Sequence, residues 1–116
     1  HRFEPDAIGL GDYGKPGNYF ARQVGRWTKQ YRASEIDPIP AMDRLIAFLP
    51  ESLPPEGPTR IVHGDFRLDN MILSPDAAEV RAVLDWGLST LGDPLADFSY
   101  LLIGWAIPAS LRNGLA

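Results

Sequence analysis

The stretch His63-Gly64-Asp65-Phe66-Arg67-Leu68-Asp69-Asn70, followed fifteen residues after Asn70 by Asp85 in Leu84-Asp85-Trp86-Gly87, gathers oxygen-bearing side chains at loop positions. Asp65 and Asn70 share one loop, and Asp85 closes a segment that reads as a hairpin, so the three acceptors can converge at strand ends. Two carboxylates and an amide oxygen suit magnesium, a hard cation that takes one or two carboxylates and shares its shell with nucleotide phosphates. Phosphoryl transfer asks the protein mainly to position the reactants and neutralise charge. In that chemistry Asp85 bridges the metal to the β- and γ-phosphates, Asn70 holds it from the other side, and Asp65 orients the acceptor hydroxyl and receives its proton. Asp65 need not be a strong base, because proton transfer comes late in a loose transition state.

Taken singly, Asp65 and Asp85 are what most loop aspartates are, turn or cap residues. Their joint spacing with Asn70, and the hairpin between them, gives the functional reading. His63 reads as a satisfied structural group at a strand end rather than a catalyst. Arg67 and Asp69 either pair with each other or contact substrate. Asp93 reads as a helix cap, and Trp27, Trp86 and Trp105 as packing residues. A two-metal phosphoesterase would also place His and Asp on strand-end loops, but such sites need several imidazoles and only His1 and His63 exist here.

The elements that must position these residues are bracketed by eleven prolines and eleven glycines. Up to Gly17 the chain reads as an irregular surface loop. Asn18 is the expected cap of a helix to about Arg32, whose apolar face is Phe20, Val24, Trp27 and Tyr31. A shorter helix runs between Pro40 and Pro50 with Met42, Leu45, Ile46 and Leu49 as its buried stripe. After a proline-rich connector, Arg60–Val62 reads as a strand leading into His63. Met71–Leu73 and Val80–Leu84 read as hairpin arms. Asp93 caps a last helix that starts at Pro94, presents Leu95, Phe98, Leu101 and Leu102, and ends or kinks at Pro108, leaving too few residues beyond for another element.

At 116 residues the length predicts one domain over residues 1–116. With 45% hydrophobic and 22% charged residues the composition is that of a soluble globular protein. Zero cysteines exclude disulfides, thiolate metal sites and a cysteine nucleophile, and fit a cytoplasmic location. A formal charge of -4 argues against nucleic acid as a partner. The apolar run Leu101–Ile107 is too short to span a membrane. The opening His1-Arg2-Phe3-Glu4 is no signal peptide, and a start at histidine reads as that of a fragment.

The pattern H-G-D-x-x-x-x-N, then L-D-W-G, then G-D-P-L-A-D resembles that of the aminoglycoside phosphotransferase-like kinases. More narrowly, Ile61–Tyr100, with Gly14–Gln23 and Arg26–Tyr31, is similar to the kinase domain of the acyl-CoA dehydrogenase 10/11-type proteins and their bacterial relatives. The resemblance implies an α+β, protein-kinase-like fold, of which this chain is the carboxy-terminal lobe: helices plus a short β-hairpin carrying the catalytic and metal-binding loops. It implies ATP and Mg2+ as co-substrates and a 4-hydroxyacyl-CoA as acceptor. By the same analogy Asp97 hydrogen-bonds backbone groups of the catalytic loop, and His63 braces that loop from within. Gly87 departs from the glutamate that closer relatives carry after the tryptophan. Arg22, Arg26, Lys29 and Arg32 read as a solvated helix face, with contact to CoA phosphates as the lesser reading.

Kinases of this type place a small amino-terminal lobe before these motifs, and that lobe is expected to be absent from this chain. Gly9-Leu10-Gly11-Asp12-Tyr13-Gly14 fits G-x-G-x-x-G, but no strand precedes it and Pro16 and Gly17 obstruct a following helix, so it reads as turn chemistry. The expected partners are therefore the missing lobe or a fused acyl-CoA dehydrogenase domain, besides the small-molecule substrate. The alternative function is a non-catalytic kinase-lobe fragment that serves as a binding module.

Overall fold

Residues 1–108 are described by a computed structural model of the protein. They divide into two units, Pro16–Gly57 and a second formed by His1–Lys15 with the chain from Pro58 onward.

The first unit is helical. Helix α1 spans Tyr19–Ser34, but Asn18 does not cap it with its side chain. Asn18 sits in the left-handed region at φ 49, a conformation asparagine tolerates, and its backbone N–H donates to Glu56 Oε1 at 2.7 Å instead. Helix α2, Pro40–Phe48, begins at its proline as the sequence predicts, and a 3-10 turn over Leu49–Glu51 prolongs it. Arg32 at the end of α1 reaches Asp43 at 2.6 Å and Glu35 at 3.0 Å. The bond to Asp43, then that to Glu35, holds the Arg32 guanidinium protonated above its ordinary range. An apolar cleft of about 330 Å³ is lined by Ala21, Val24 and Thr28 of α1 and by Ile46 and Leu53.

The second unit carries the strands. Strand β1, Arg60–Val62, and hairpin strands β2, Met71–Leu73, and β3, Val80–Val83, lie where the β-branched and apolar runs predict them. Strand β4, Thr90–Gly92, was not expected. It pairs antiparallel with β1 in the register Arg60↔Gly92 and Val62↔Thr90. Met71↔Val83 sets the hairpin register, with an irregularity between Ile72 and Leu73. Helix α3 runs from Leu95 to Ala106, and Asp93 Oδ1 accepts the Leu95 N–H at 2.8 Å, the cap the sequence announces. The tail beyond Pro108, expected to hold no further element, lies outside the described residues.

The start of the chain is not wholly irregular: Asp6–Ile8 form a 3-10 turn that Gly9 ends at φ 74. Gly14 packs on β4, where a Cβ would come within 2.8 Å of the Leu91 N–H nitrogen. The G-x-G-x-x-G string thus serves turns and close packing.

Among the described residues only Val62 and Leu91, on β1 and β4, are fully buried hydrophobic side chains. The helical stripes depart from expectation: Leu45 of α2 and Leu95, Phe98 and Leu102 of α3 are exposed. Met42 and Ile46 of α2, Leu49 just after it and Leu101 of α3 are half-buried, so within the described units these faces are covered in part. No helix among the described residues is long and apolar enough to cross a membrane.

Candidate active site

Strand β1 delivers the chain to His63 and Gly64, and α3 supplies the group that fixes them. Asp97, in the first turn of α3, accepts the His63 N–H at 2.7 Å through Oδ2 and the Gly64 N–H at 2.9 Å through Oδ1. Asp97 is only 2% exposed, so its carboxylate needs donors to offset lost hydration, and these amides supply them. Pairing of β1 with β4 brings the strand that enters the loop beside the strand that leads into α3.

His63 is equally buried and bonded on both ring nitrogens. Nε2–H donates to the Leu84 carbonyl at 2.8 Å, and Nδ1 accepts the Asp65 N–H at 3.3 Å. Those partners assign the neutral Nε2–H tautomer. The ring also meets Trp86, with centroids 4.7 Å apart, and Phe66 at 6.0 Å. Its imidazole ties the loop to the end of the hairpin.

Asp65 and Asn70 are joined directly. Asn70 Nδ2 donates to the Asp65 carbonyl at 2.9 Å and to Asp65 Oδ2 at 3.0 Å. A 3-10 turn over Leu68–Asn70 returns the chain to allow this. The Asn70 carbonyl in turn accepts the Leu84 N–H at 2.8 Å, which extends the hairpin ladder to the residue before Asp85. Asp85 follows in the left-handed region at φ 60, exposed, and no hydrogen bond joins its carboxylate to the other two side chains.

Arg67 and Asp69 pair with each other: Arg67 Nε donates to Asp69 Oδ2 at 2.7 Å, and a second guanidinium nitrogen closes on the same oxygen. Asp69, and after it the Tyr100 hydroxyl, holds Arg67 protonated above its ordinary range. In the basic row of α1, Arg32 is engaged by acidic neighbours, and Arg26 lies over the Trp27 ring at 5.5 Å.

The donor set fits a hard cation. With Nδ2 committed to Asp65, the Asn70 amide keeps its oxygen, and Asp85 offers an exposed carboxylate. Among the described residues no three His, Cys, Asp or Glu side chains form a metal cage. Two carboxylates and an amide would leave coordination positions for phosphate oxygens, and of these three side chains the structure joins Asp65 and Asn70.

Sequence reasoning missed three participants. Strand β4 is three residues long, Thr-Leu-Gly, and carries too little pattern to stand out. The close approach of Gly64 to Leu88 gives no signal beyond the glycine itself. His1 reaches Asp97 across the length of the unit, with Nε2 at 2.7 Å from Oδ2.

A model of the phosphotransferase enzyme family matches residues 1–116. The chain is 56% identical over 110 residues to acyl-CoA dehydrogenase family member 10 of Mus musculus, a match covering 95% of this chain and 10% of that protein. It is 46% identical over 113 residues to acyl-CoA dehydrogenase family member 11 of Gallus gallus, covering 97% of this chain and 14% of that one. A crystal structure from Ralstonia eutropha JMP134, described as an aminoglycoside phosphotransferase, superposes with a TM-score of 0.84 at 57% identity. That match covers 95% of this chain and 34% of the solved one, so the chain corresponds to a part of each relative.

Proposed function

Because the chain belongs to the phosphotransferase enzyme family, we propose that it forms the carboxy-terminal, catalytic part of an ATP- and Mg2+-dependent kinase that phosphorylates a hydroxyl group. The observation that supports this reading is the bonding of Asn70 to Asp65, together with the bond from the Leu84 N–H, one residue before Asp85, to the Asn70 carbonyl. A loop acid, an amide and a hairpin-end acid are thereby linked through one backbone frame.

Asp65 orients the acceptor hydroxyl and takes its proton as the bond to phosphorus forms. Asn70 fixes the Asp65 carboxylate through Nδ2 and presents its oxygen to the metal, and Asp85 presents a second oxygen. Bound Mg2+ would neutralise phosphate charge during transfer. His63 and Asp97 hold the loop in shape and touch no reacting atom. Arg67 and Asp69, bonded to each other, brace the loop rim, where either can meet substrate.

The acceptor class is a hydroxylated acyl-CoA thioester, for which we favour 4-hydroxyacyl-CoA. Similarity over nearly the whole chain to proteins named acyl-CoA dehydrogenases supports an acyl-CoA context. A dehydrogenase domain joined to this one is the corresponding partner.

The test uses the full-length protein that contains this chain, with ATP, Mg2+ and a panel of hydroxyacyl-CoAs. Asp65→Asn and Asp85→Ala each lower the rate of phosphorylation by about 100-fold or more. Unchanged turnover in both variants overturns the mechanism. ATP binding by the wild type without turnover of any hydroxylated acceptor favours the binding-module reading.

A further inference from the structure

The Asp97 carboxylate has a third donor besides the two loop amides. Oδ2 accepts the His63 N–H and also lies 2.7 Å from His1 Nε2, while Oδ1 serves Gly64. Asp97 is 2% exposed and the His1 side chain 35% exposed, so the imidazole closes the solvent side of a buried carboxylate. The contact requires Nε2 to carry a hydrogen, since a carboxylate offers only lone pairs.

From this arrangement we infer that His1 is a positioning residue for phosphoryl transfer, orienting the Asp97 carboxylate so that it holds the amides ahead of Asp65. The inference rests on the proposed kinase reading for its catalytic consequence, though not for its structural one. A carboxylate rotates about its terminal torsion with little intrinsic preference, so its orientation must come from its donors. The two amide bonds, one to each oxygen, arise from adjacent residues of the loop that the carboxylate has to hold; the imidazole, from a distant part of the chain, adds a second donor to Oδ2 that does not depend on that loop. Gly64 sits at φ 86, so local backbone preference does not select the loop geometry, and the Asp97 clamp carries that burden. Asp65 follows immediately, and its own N–H is bonded to His63 Nδ1. Loosening Asp97 would therefore move the residue that meets the acceptor hydroxyl, whereas the β2–β3 ladder of the hairpin has its own bonds and does not depend on that carboxylate.

The experiment compares His1→Ala and His1→Gln in the full-length protein, with steady-state kinetics and amide hydrogen exchange read over segments 61–68 and 71–83. His1→Ala is expected to lower kcat about 10-fold or more with the KM for ATP unchanged. His1→Gln, whose amide nitrogen can take the Nε2 place, is expected to recover most of the loss. In His1→Ala the amides of segment 61–68 exchange at least several-fold faster, while those of the hairpin segment do not change. Equal exchange in segment 61–68 overturns the inference. So does acceleration of both segments alike, which marks general destabilisation, or a raised KM for ATP at constant kcat. If the wild type transfers no phosphate, the kinase reading fails, and selective exchange in segment 61–68 still decides whether His1 orients Asp97.

Discussion

Gly64 lies against the backbone of Leu88, close enough that a Cβ on Gly64 would sit 2.6 Å from the Leu88 carbonyl oxygen. The neighbouring atoms are main chain and cannot swing aside, and φ 86 is a left-handed conformation that a side chain disfavours. Gly64→Ala is therefore expected to destabilise the fold by about 2 kcal/mol or more, read as a lowered denaturant midpoint at constant slope. A variant as stable as the wild type would show that the loop has room this packing denies.

Asn70→Asp removes the amide donor and sets a second carboxylate where Nδ2 lies 3.0 Å from Asp65 Oδ2. Two like charges at that distance resist joint ionisation, so the folded pair retains a proton above the range of the unfolded carboxyls. Its stability relative to the wild type should be best below about pH 4 and fall as pH rises through the raised folded value. Unfolding curves between pH 3 and pH 8, at intervals of roughly one unit, check this dependence. A deficit independent of pH would mean that the two side chains are not in contact.

Asp85 occupies the left-handed region at φ 60, ψ 62, which aspartate tolerates at a cost. Asp85→Gly and Asp85→Ala both remove the carboxylate, but only glycine fits that conformation without strain. The glycine variant should be more stable than the alanine variant by about 1 kcal/mol, with both lacking transfer activity. Equal thermal midpoints would indicate that the local backbone relaxes.

In the turn between β2 and β3, the Ser74 hydroxyl donates to Asp76 Oδ1 at 2.6 Å and the Ala78 N–H reaches the same oxygen at 3.2 Å. The serine bond first, then the backbone bond, holds the Asp76 carboxyl below its ordinary range. A lowered folded value stabilises the turn above the unfolded value near ~3.9, and that contribution is lost as pH falls through the folded one. An NMR titration of the Asp76 carboxyl carbon should give a midpoint below ~3.9 that moves upward in Ser74→Ala. An unmoved midpoint would remove Ser74 as the cause.

The local elements were legible because their signals are local. Pro40 in a first turn, Asp93 ahead of Pro94, and the apolar runs flanking Ser74–Glu79 each announce an element with residues inside it. The Asp65–Asn70 proximity was legible too, since a separation of five positions leaves few ways for a loop to close. The features that stayed hidden depend on distant partners. Thr90–Gly92 becomes a strand because β1 lies beside it, and Asn18 loses its capping role to a left-handed turn that Glu56 fastens. Periodicity misleads at single positions, for Leu45 and Phe98 obey the pattern yet meet solvent in the described units, while Met42, Ile46 and Leu49 are half-buried as the pattern predicts. His1 carries no pattern at all, and only the fold brings it to Asp97.

The ladder between Arg60–Val62 and Thr90–Gly92 ties the entry of the His63–Asn70 loop to the start of α3. Extra residues spliced into the turn after Ser74 would cost the bonds of that turn alone, whereas a single one added between Trp86 and Ser89 would shift Thr90 out of step and swing Asp97 from its amides. The turn from Trp86 to Ser89 is thus fixed in length by the strand pairing and the helix start that follow it.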